Sequence, residues 1–217
     1  PTLTVGEAQH GLLKPCVTRE GIACASPDTA VCRCATSFPS LVGVGAAFNR
    51  SLFQDMGQVM GDEARAYWNL LNGSTNLVFW APNVNLARNL YWGRNQEVPG
   101  EDPLVNGIYA EDFIAQMQGQ EQGGAAMNWS DPHAAPLKAA ATVKHFLAYD
   151  VECSSGGRMA PGSSRDAVGG GATTTPFDCD APGVDRFHFE GQVSDADLND
   201  YYLAVFKRPI SRSHPAA

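Results

Sequence analysis

Apolar residues at Leu52, Met56, Val59, Met60, Ala64, Trp68 and Leu71 recur at steps of three and four. This spacing predicts a helix from near Asn49 to Leu71. Asn49 or Ser51 can cap it, the latter with Gln54 as a capping box. Leu77 to Trp80 is a short unbroken apolar run, the mark of a buried strand. Asp102-Pro103 then opens a second helix, a cap followed by proline at the first turn, with Val105, Ile108, Tyr109, Phe113 and Met117 as its apolar face. Ala139 to Val143 predicts the next strand, and Ser194 caps a third helix with an inner face of Leu198, Tyr201, Tyr202 and Val205. Residues 1–34, with four cysteines, read as irregular, as does the Gly-, Ser- and Thr-rich stretch 153–184. No internal repeat is evident.

Strands alternating with helices predict an α/β fold with a parallel sheet and helical crossovers. The polar segment from Arg88 to Pro103 follows one strand, and Lys144-His145-Phe146 ends the next. Both therefore fall at the carboxyl ends of strands, the rim where a (β/α)₈ barrel carries its active site. Arg94 offers a rigid fork of donors, Gly93 a sharp turn and Trp92 a flat apolar wall. Arg94, Lys144 and His145 on one rim suit a polyhydroxylated ring, and they would keep a neighbouring carboxylate ionised. Taken singly, each has a plainer reading: a structural ion pair for Arg94 and a hydrogen-bonded core histidine for His145. Trp92 reads as packing, and Glu97, Glu101 and Asp102 as loop hydrogen bonding and helix capping.

Composition narrows the classes. With 217 residues, 44% hydrophobic and 18% charged, the chain is long enough for one sizeable domain and too apolar to be disordered throughout. A formal charge of −8 without a basic stripe argues against a nucleic-acid partner. No run of eighteen apolar residues spans a membrane, so the chain reads as soluble. It opens at Pro1 without a leader-like segment, as a processed product or a fragment would. Cysteines at 16, 24, 32, 34, 153 and 179 form an even set whose pairing is open, Cys153 and Cys179 flanking the Gly/Ser-rich stretch. Asn49, Asn72 and Asn128 begin sequons, where eleven asparagines would give roughly one by chance. Even cysteines and excess sequons point to secretion, outside the cell or in the cell wall. A zinc site of Cys16, Cys24, Cys32 and Cys34 with His10 fits poorly, because no C-x-x-C pair exists.

The two polar segments together resemble glycoside hydrolase family three, in its β-xylosidase-like branch. The matches to its loop pattern run in order through Asn85, Arg88, Trp92, Gly93, Arg94, Glu97 and Pro99 to Gly100, Glu101, Asp102 and Pro103, then Lys144, His145 and Phe146. Glu7-Ala8-Gln9-His10-Gly11 is similar to the branch's E-A-L-H-G segment, with Gln9 in place of Leu. Asn89, Leu90 and Tyr91 replace the usual Asp-Pro-Arg, which removes a local ion pair and loosens the loop. The resemblance covers residues 7–206 outside the insertion 153–184, and is best over 35–152 and 185–207.

It implies roughly half of a (β/α)₈ TIM-type barrel, one part of the family's N-terminal domain. It also implies a retaining exo-β-glycosidase that removes terminal β-linked xylose, arabinose or glucose and needs no cofactor. Arg94, Lys144 and His145 would hold the sugar, with Glu7 on a hydroxyl, and Arg186 is either near the site or in a plain ion pair. The family's nucleophile lies in an S-D segment beyond an S-Y-N segment, with the acid/base later still, and no S-Y-N segment occurs in these 217 residues to mark an S-D as that one. No catalytic carboxylate is therefore assigned. An incomplete barrel would leave open strand edges, to be covered by the remainder of the enzyme or another chain. The other expectation is a non-catalytic sugar-binding remnant, or a truncated product, that keeps the donors and lacks the chemistry.

Overall fold

The computed structural model describes residues 5–14, 16–24, 32–90, 92–120, 136–149 and 192–216. Three short strands, β1 (Val5–Glu7), β2 (Val78–Trp80) and β3 (Ala140–Ala141), form a parallel sheet in that order. Val5 pairs with Val78 and Glu7 with Trp80; Val78 pairs in turn with Ala140. β1 corrects the expectation that residues 1–34 are irregular. A strand of three residues is too short for alternation to show, and only its partner reveals it. β3 is shorter than predicted, yet the pairing runs on: Thr142 N donates to Phe79 O, Lys144 N to Pro82 O, and Asn83 bridges to Lys144.

Among the described residues, five α-helices accompany the sheet, α1 (Leu41–Ala46), α2 (Arg50–Leu70), α3 (Pro103–Gln118), α4 (Asp195–Asp197) and α5 (Ala204–Ser213), with a 3₁₀ turn at Asn95–Glu97. Asn49 caps α2, its side-chain oxygen accepting from Ser51 N and Leu52 N; the capping box from Ser51 does not form. Asp102 caps α3 in the same way, with Pro103 in the first turn, and Gly119 ends it in the left-handed conformation. The buried face of α2 is Phe53, Met56, Met60, Ala64 and Tyr67 with Gly57 and Gly61, rotated from the predicted face. Val59, Trp68 and Leu71 are only partly buried. The two glycines explain the rotation. A Cβ on either would run into the carbonyl of Phe113 or Met117, so α2 and α3 touch backbone to backbone there.

α3 packs against α2, α5 and β3, and is buried almost all round. Its two acidic residues pair outward: Asp112 takes a fork from Arg50 at 2.7 and 2.8 Å, and Glu111 lies 2.6 Å from Arg208 Nε. Ser194 caps α4 as predicted. A π-helical segment, Leu198–Tyr202, then displaces the apolar face, so Val205, Phe206, Pro209 and Ser213 are the buried positions of α5. Phe79 and Ala141 of the sheet join the core formed by Phe53, Met56, Tyr109, Phe113 and Met117. On the sheet's other face Val5, Glu7, Val78 and Ala140 are half-buried and Trp80 is exposed. The covered face holds the helices, and the carboxyl ends of the strands hold the polar residues.

Candidate functional site

Four segments meet at that rim. Glu7 ends β1, Asn83 and Asn85 follow β2, Lys144 and His145 follow β3, and the loop after β2 returns Arg94 and Glu97. Lys144 is buried, and a buried ammonium needs a partner. It donates to Glu7 Oε2 at 2.5 Å, closing the rim from β3 to β1 across β2.

Asn85 holds the histidine. Its Oδ1 accepts from His145 N at 2.8 Å and lies 3.2 Å from His145 Nδ1, while its Nδ2 donates to His145 O at 2.8 Å. Asn106, fully buried in α3, donates to Asn85 O and Gly100 O, tying helix and loop together. The Ala81–Pro82, Lys144–His145 and Phe146–Leu147 peptides are cis.

Arg94 directs most of its fork into the protein. Nε and Nη2 donate to Glu97, the latter at 2.5 Å, and Nη1 lies 3.4 Å from the Tyr149 hydroxyl. Partial burial opposes its charge. The hydrogen bonds to Glu97 and Tyr149, and the attraction of the Glu97 carboxylate, outweigh it and raise the guanidinium above its ordinary range. Glu97 Oε2 also accepts from Gln9 at 2.9 Å and Asn83 at 3.3 Å. One carboxylate therefore gathers donors from the β1 exit, the β2 exit and its own loop.

Trp92 is buried and packs edge-on against Tyr149, whose ring also meets His145 edge-on at 5.2 Å. Arg88 stacks over Tyr201 and donates to Tyr202, fixing the loop to the π segment. Beside Glu7 and Gln9 lies a cleft of about 370 Å³ lined also by His10, Leu13, Thr36 and Ser37. Glu7, Lys144, His145 and Arg94 thus share one rim, with Lys144 paired to Glu7, Arg94 to Glu97 and His145 held by Asn85.

Asn83 and Tyr149 belong to this network without having been singled out in the sequence. Two carboxamides at a strand exit, Asn83 and Asn85, and a tyrosine four residues after His145 were the available signals. Arg186, Cys153, Cys179, Asn128 and the stretch 153–184 lie outside the described residues. The cysteine–histidine metal alternative is overturned. Cys16 is bonded to Cys34 and Cys24 to Cys32, so no thiolate remains among those four, and no group able to hold a metal ion occurs among the described residues. No described helix is long and apolar enough to cross a membrane.

The fold is α/β, with charged and amide side chains collected at the carboxyl rim of a parallel sheet. The N-terminal domain of glycosyl hydrolase family 3 matches residues 27–168, and the chain belongs to that family. It is 38% identical over 173 residues to β-D-xylosidase 1 of Arabidopsis thaliana, covering 80% of this chain and 17% of that protein. It is 36% identical to β-xylosidase/α-L-arabinofuranosidase 2 of Medicago sativa subsp. varia, with the same coverage. Among solved structures, a family 3 exo-β-xylosidase in complex with a xylobiose aziridine activity-based probe aligns with TM-score 0.64 and 26% identity, over 94% of this chain and 20% of that one. β-Glucosidase 3B from Thermotoga neapolitana shares the fold, with TM-score 0.58 and 22% identity, over 99% of this chain and 21% of that one. The chain spans about a fifth of the length of these proteins.

Proposed function

We propose that this chain supplies the sugar-holding part of a retaining exo-β-glycosidase that releases terminal β-linked residues, β-D-xylosidase-like in preference. The observation that carries this reading is the convergence of Glu7, Arg94, Lys144 and His145 on one strand-end rim in a family 3 chain. Lys144 and Glu7, joined at 2.5 Å, offer adjacent donor and acceptor edges to a pair of sugar hydroxyls. His145, fixed by Asn85, offers its ring edge, and Arg94 offers the Nη1 side of its fork.

Retention requires a nucleophile and an acid/base about 5–5.5 Å apart. By the family pattern both lie beyond an S-Y-N segment, which does not occur in these 217 residues. The three strands are then the first part of a (β/α)₈-type barrel, the open sheet face with Trp80 lines its interior, and residues 153–184 are an insertion between matched parts 35–152 and 185–207. Two disulfides and three sequons favour secretion, to the exterior or the cell wall.

The other reading, a sugar-binding remnant, draws on the fact that both charged pairs are complete within this chain. Titration of the chain with xylose and glucose tests the site, beside an Arg94→Ala/Lys144→Ala variant. Saturable binding that the variant loses is the expected result, with no turnover of an aryl β-xyloside. Turnover by the chain alone would overturn the assignment of the nucleophile elsewhere. Equal binding by the variant would overturn the site.

A further inference from the structure

Two sequons with described geometry bracket α2, Asn49 at its start and Asn72 just past its end. Their side chains are placed differently. The Asn49 oxygen accepts from Ser51 N and Leu52 N, at 3.0 and 3.4 Å, and so caps the helix. Asn72 stands exposed in the turn that follows α2, with φ of 49°, and no hydrogen bond holds its carboxamide among the described residues. The turn itself is well fixed. Asn72 N donates to Asn69 O, Gly73 N to Trp68 O and Ser74 N to Leu71 O, and Gly73 has φ of 77° against the Trp68 ring. Ser74, the third sequon residue, is exposed as well.

We propose that Asn72 is an N-glycan acceptor and that Asn49 is not the preferred one; this rests on the secretory reading above. The transfer joins Asn72 Nδ2 to the anomeric carbon of a lipid-diphosphate-linked oligosaccharide. The bond from that carbon to the diphosphate oxygen breaks, the lipid diphosphate leaves with the electron pair, and Nδ2 loses one proton to a base. The product carries a bulky, hydrated group at a surface turn, where it displaces no packing and no hydrogen bond of the carboxamide. The position also separates glycan from site. Asn72 precedes β2 and lies at the amino ends of the strands, whereas Glu7, Asn83 and Lys144 mark the carboxyl ends. α2, of 21 residues, runs about 30 Å between the two ends.

The test is secretion of the chain from a eukaryotic host behind a supplied leader, then release of glycans by peptide-N-glycosidase in heavy-oxygen water. Peptide mass spectrometry then locates each asparagine converted to labelled aspartate. The expected result is label at position 72, and a gel shift on deglycosylation that is smaller by one glycan in both Asn72→Gln and Ser74→Ala. Ser74→Ala leaves the strained asparagine in place, so loss of the glycan there is not a folding defect. Xylose binding should be equal before and after deglycosylation. A secreted, disulfide-bonded chain unlabelled at 72, or labelled at 49 alone, would overturn the proposal. The supplied leader makes this outcome independent of where the native chain resides, and failure to bind sugar would count against the site and not against Asn72.

Discussion

Alanine placed at Gly61 and at Gly43 should move stability in opposite directions, although both glycines lie within helices. At Gly61 a Cβ would stand 3.1 Å from both the carbonyl carbon and the Cα of Met117, and closer still to the carbonyl oxygen. Carbon atoms pack best at about 3.5–4.0 Å, so α2 and α3 must part by about 0.5 Å or more along this seam. The atom met is backbone held inside α3, which cannot swing aside as a side-chain tip can. Overpacking of this kind costs about 1–3 kcal/mol, and the upper end applies here. Alanine recovers about 1 kcal/mol through its better helix propensity, leaving a net loss of about 2 kcal/mol. For a chain of this size that lowers the midpoint by about 4–8 °C. Gly57, with Phe113 in the same relation, should behave alike. At Gly43, in α1, nothing lies within 4 Å, so alanine should add about 0.5–1 kcal/mol. Thermal unfolding followed by circular dichroism would measure all three variants. A neutral or stabilising Gly61→Ala would refute the backbone-to-backbone contact, and a destabilising Gly43→Ala would show that the open space beside α1 is filled.

Other outcomes follow from the polar network. Glu97→Gln removes the charge that holds Arg94, and charge-assisted hydrogen bonds of this kind contribute about 1.5–3 kcal/mol, so xylose binding by titration should weaken by about tenfold or more. Arg50→Ala removes the two-point hydrogen bond to the buried Asp112, at a cost of about 1.5–3 kcal/mol in urea unfolding, whereas Arg50→Met with Asp112→Leu should restore much of it. Gln118 is buried, accepts from Ala141 N and Ala216 N, and donates to His214 O. Gln118→Leu should therefore raise amide hydrogen exchange at Ala141 and Ala216 before the rest of the fold loosens. Reduction should lower the midpoint, with Cys16–Cys34 contributing more than Cys24–Cys32 because it closes the longer loop, 18 against 8 residues. Serine variants of each pair would separate the two contributions by calorimetry.

Helix ends were the most legible feature of the sequence. Asp102 before Pro103 and Asn49 before the α2 pattern are local signals, complete within four residues, and both caps form. The face of α2 was less legible because hydropathy marks what is greasy. Gly57 and Gly61 carry no side chain, yet they sit at the tightest contact in the helix layer. The face of α5 was displaced for a different reason: a π turn at Leu198–Tyr202 breaks the 3.6-residue period on which the prediction rests. β1 was invisible until Val78 and Trp80 paired with it. At the site, Arg94, Lys144 and His145 stood out as a guanidinium, an amine and an imidazole in the segments after strands, and Asn83 did not, since a buried carboxamide looks like any loop residue in a sequence. Tyr149 was overlooked because its part is to touch Trp92, His145 and Arg94 at once, a relation among four separated positions.

The shared carboxylate of Glu97 bears on how this chain and its relatives vary. Gln9, Asn83 and Arg94 all meet at that one group. A change at position 9 alters how many donors Glu97 receives, and so how firmly it holds the guanidinium at position 94. A leucine at position 9, as in the segment that Glu7–Gly11 resembles, would remove one donor from Glu97. Positions 9, 83 and 94 are therefore coupled through one carboxylate, although position 9 lies far from the other two in the sequence. Exchanging one of them between relatives without the others should do more harm than exchanging all three.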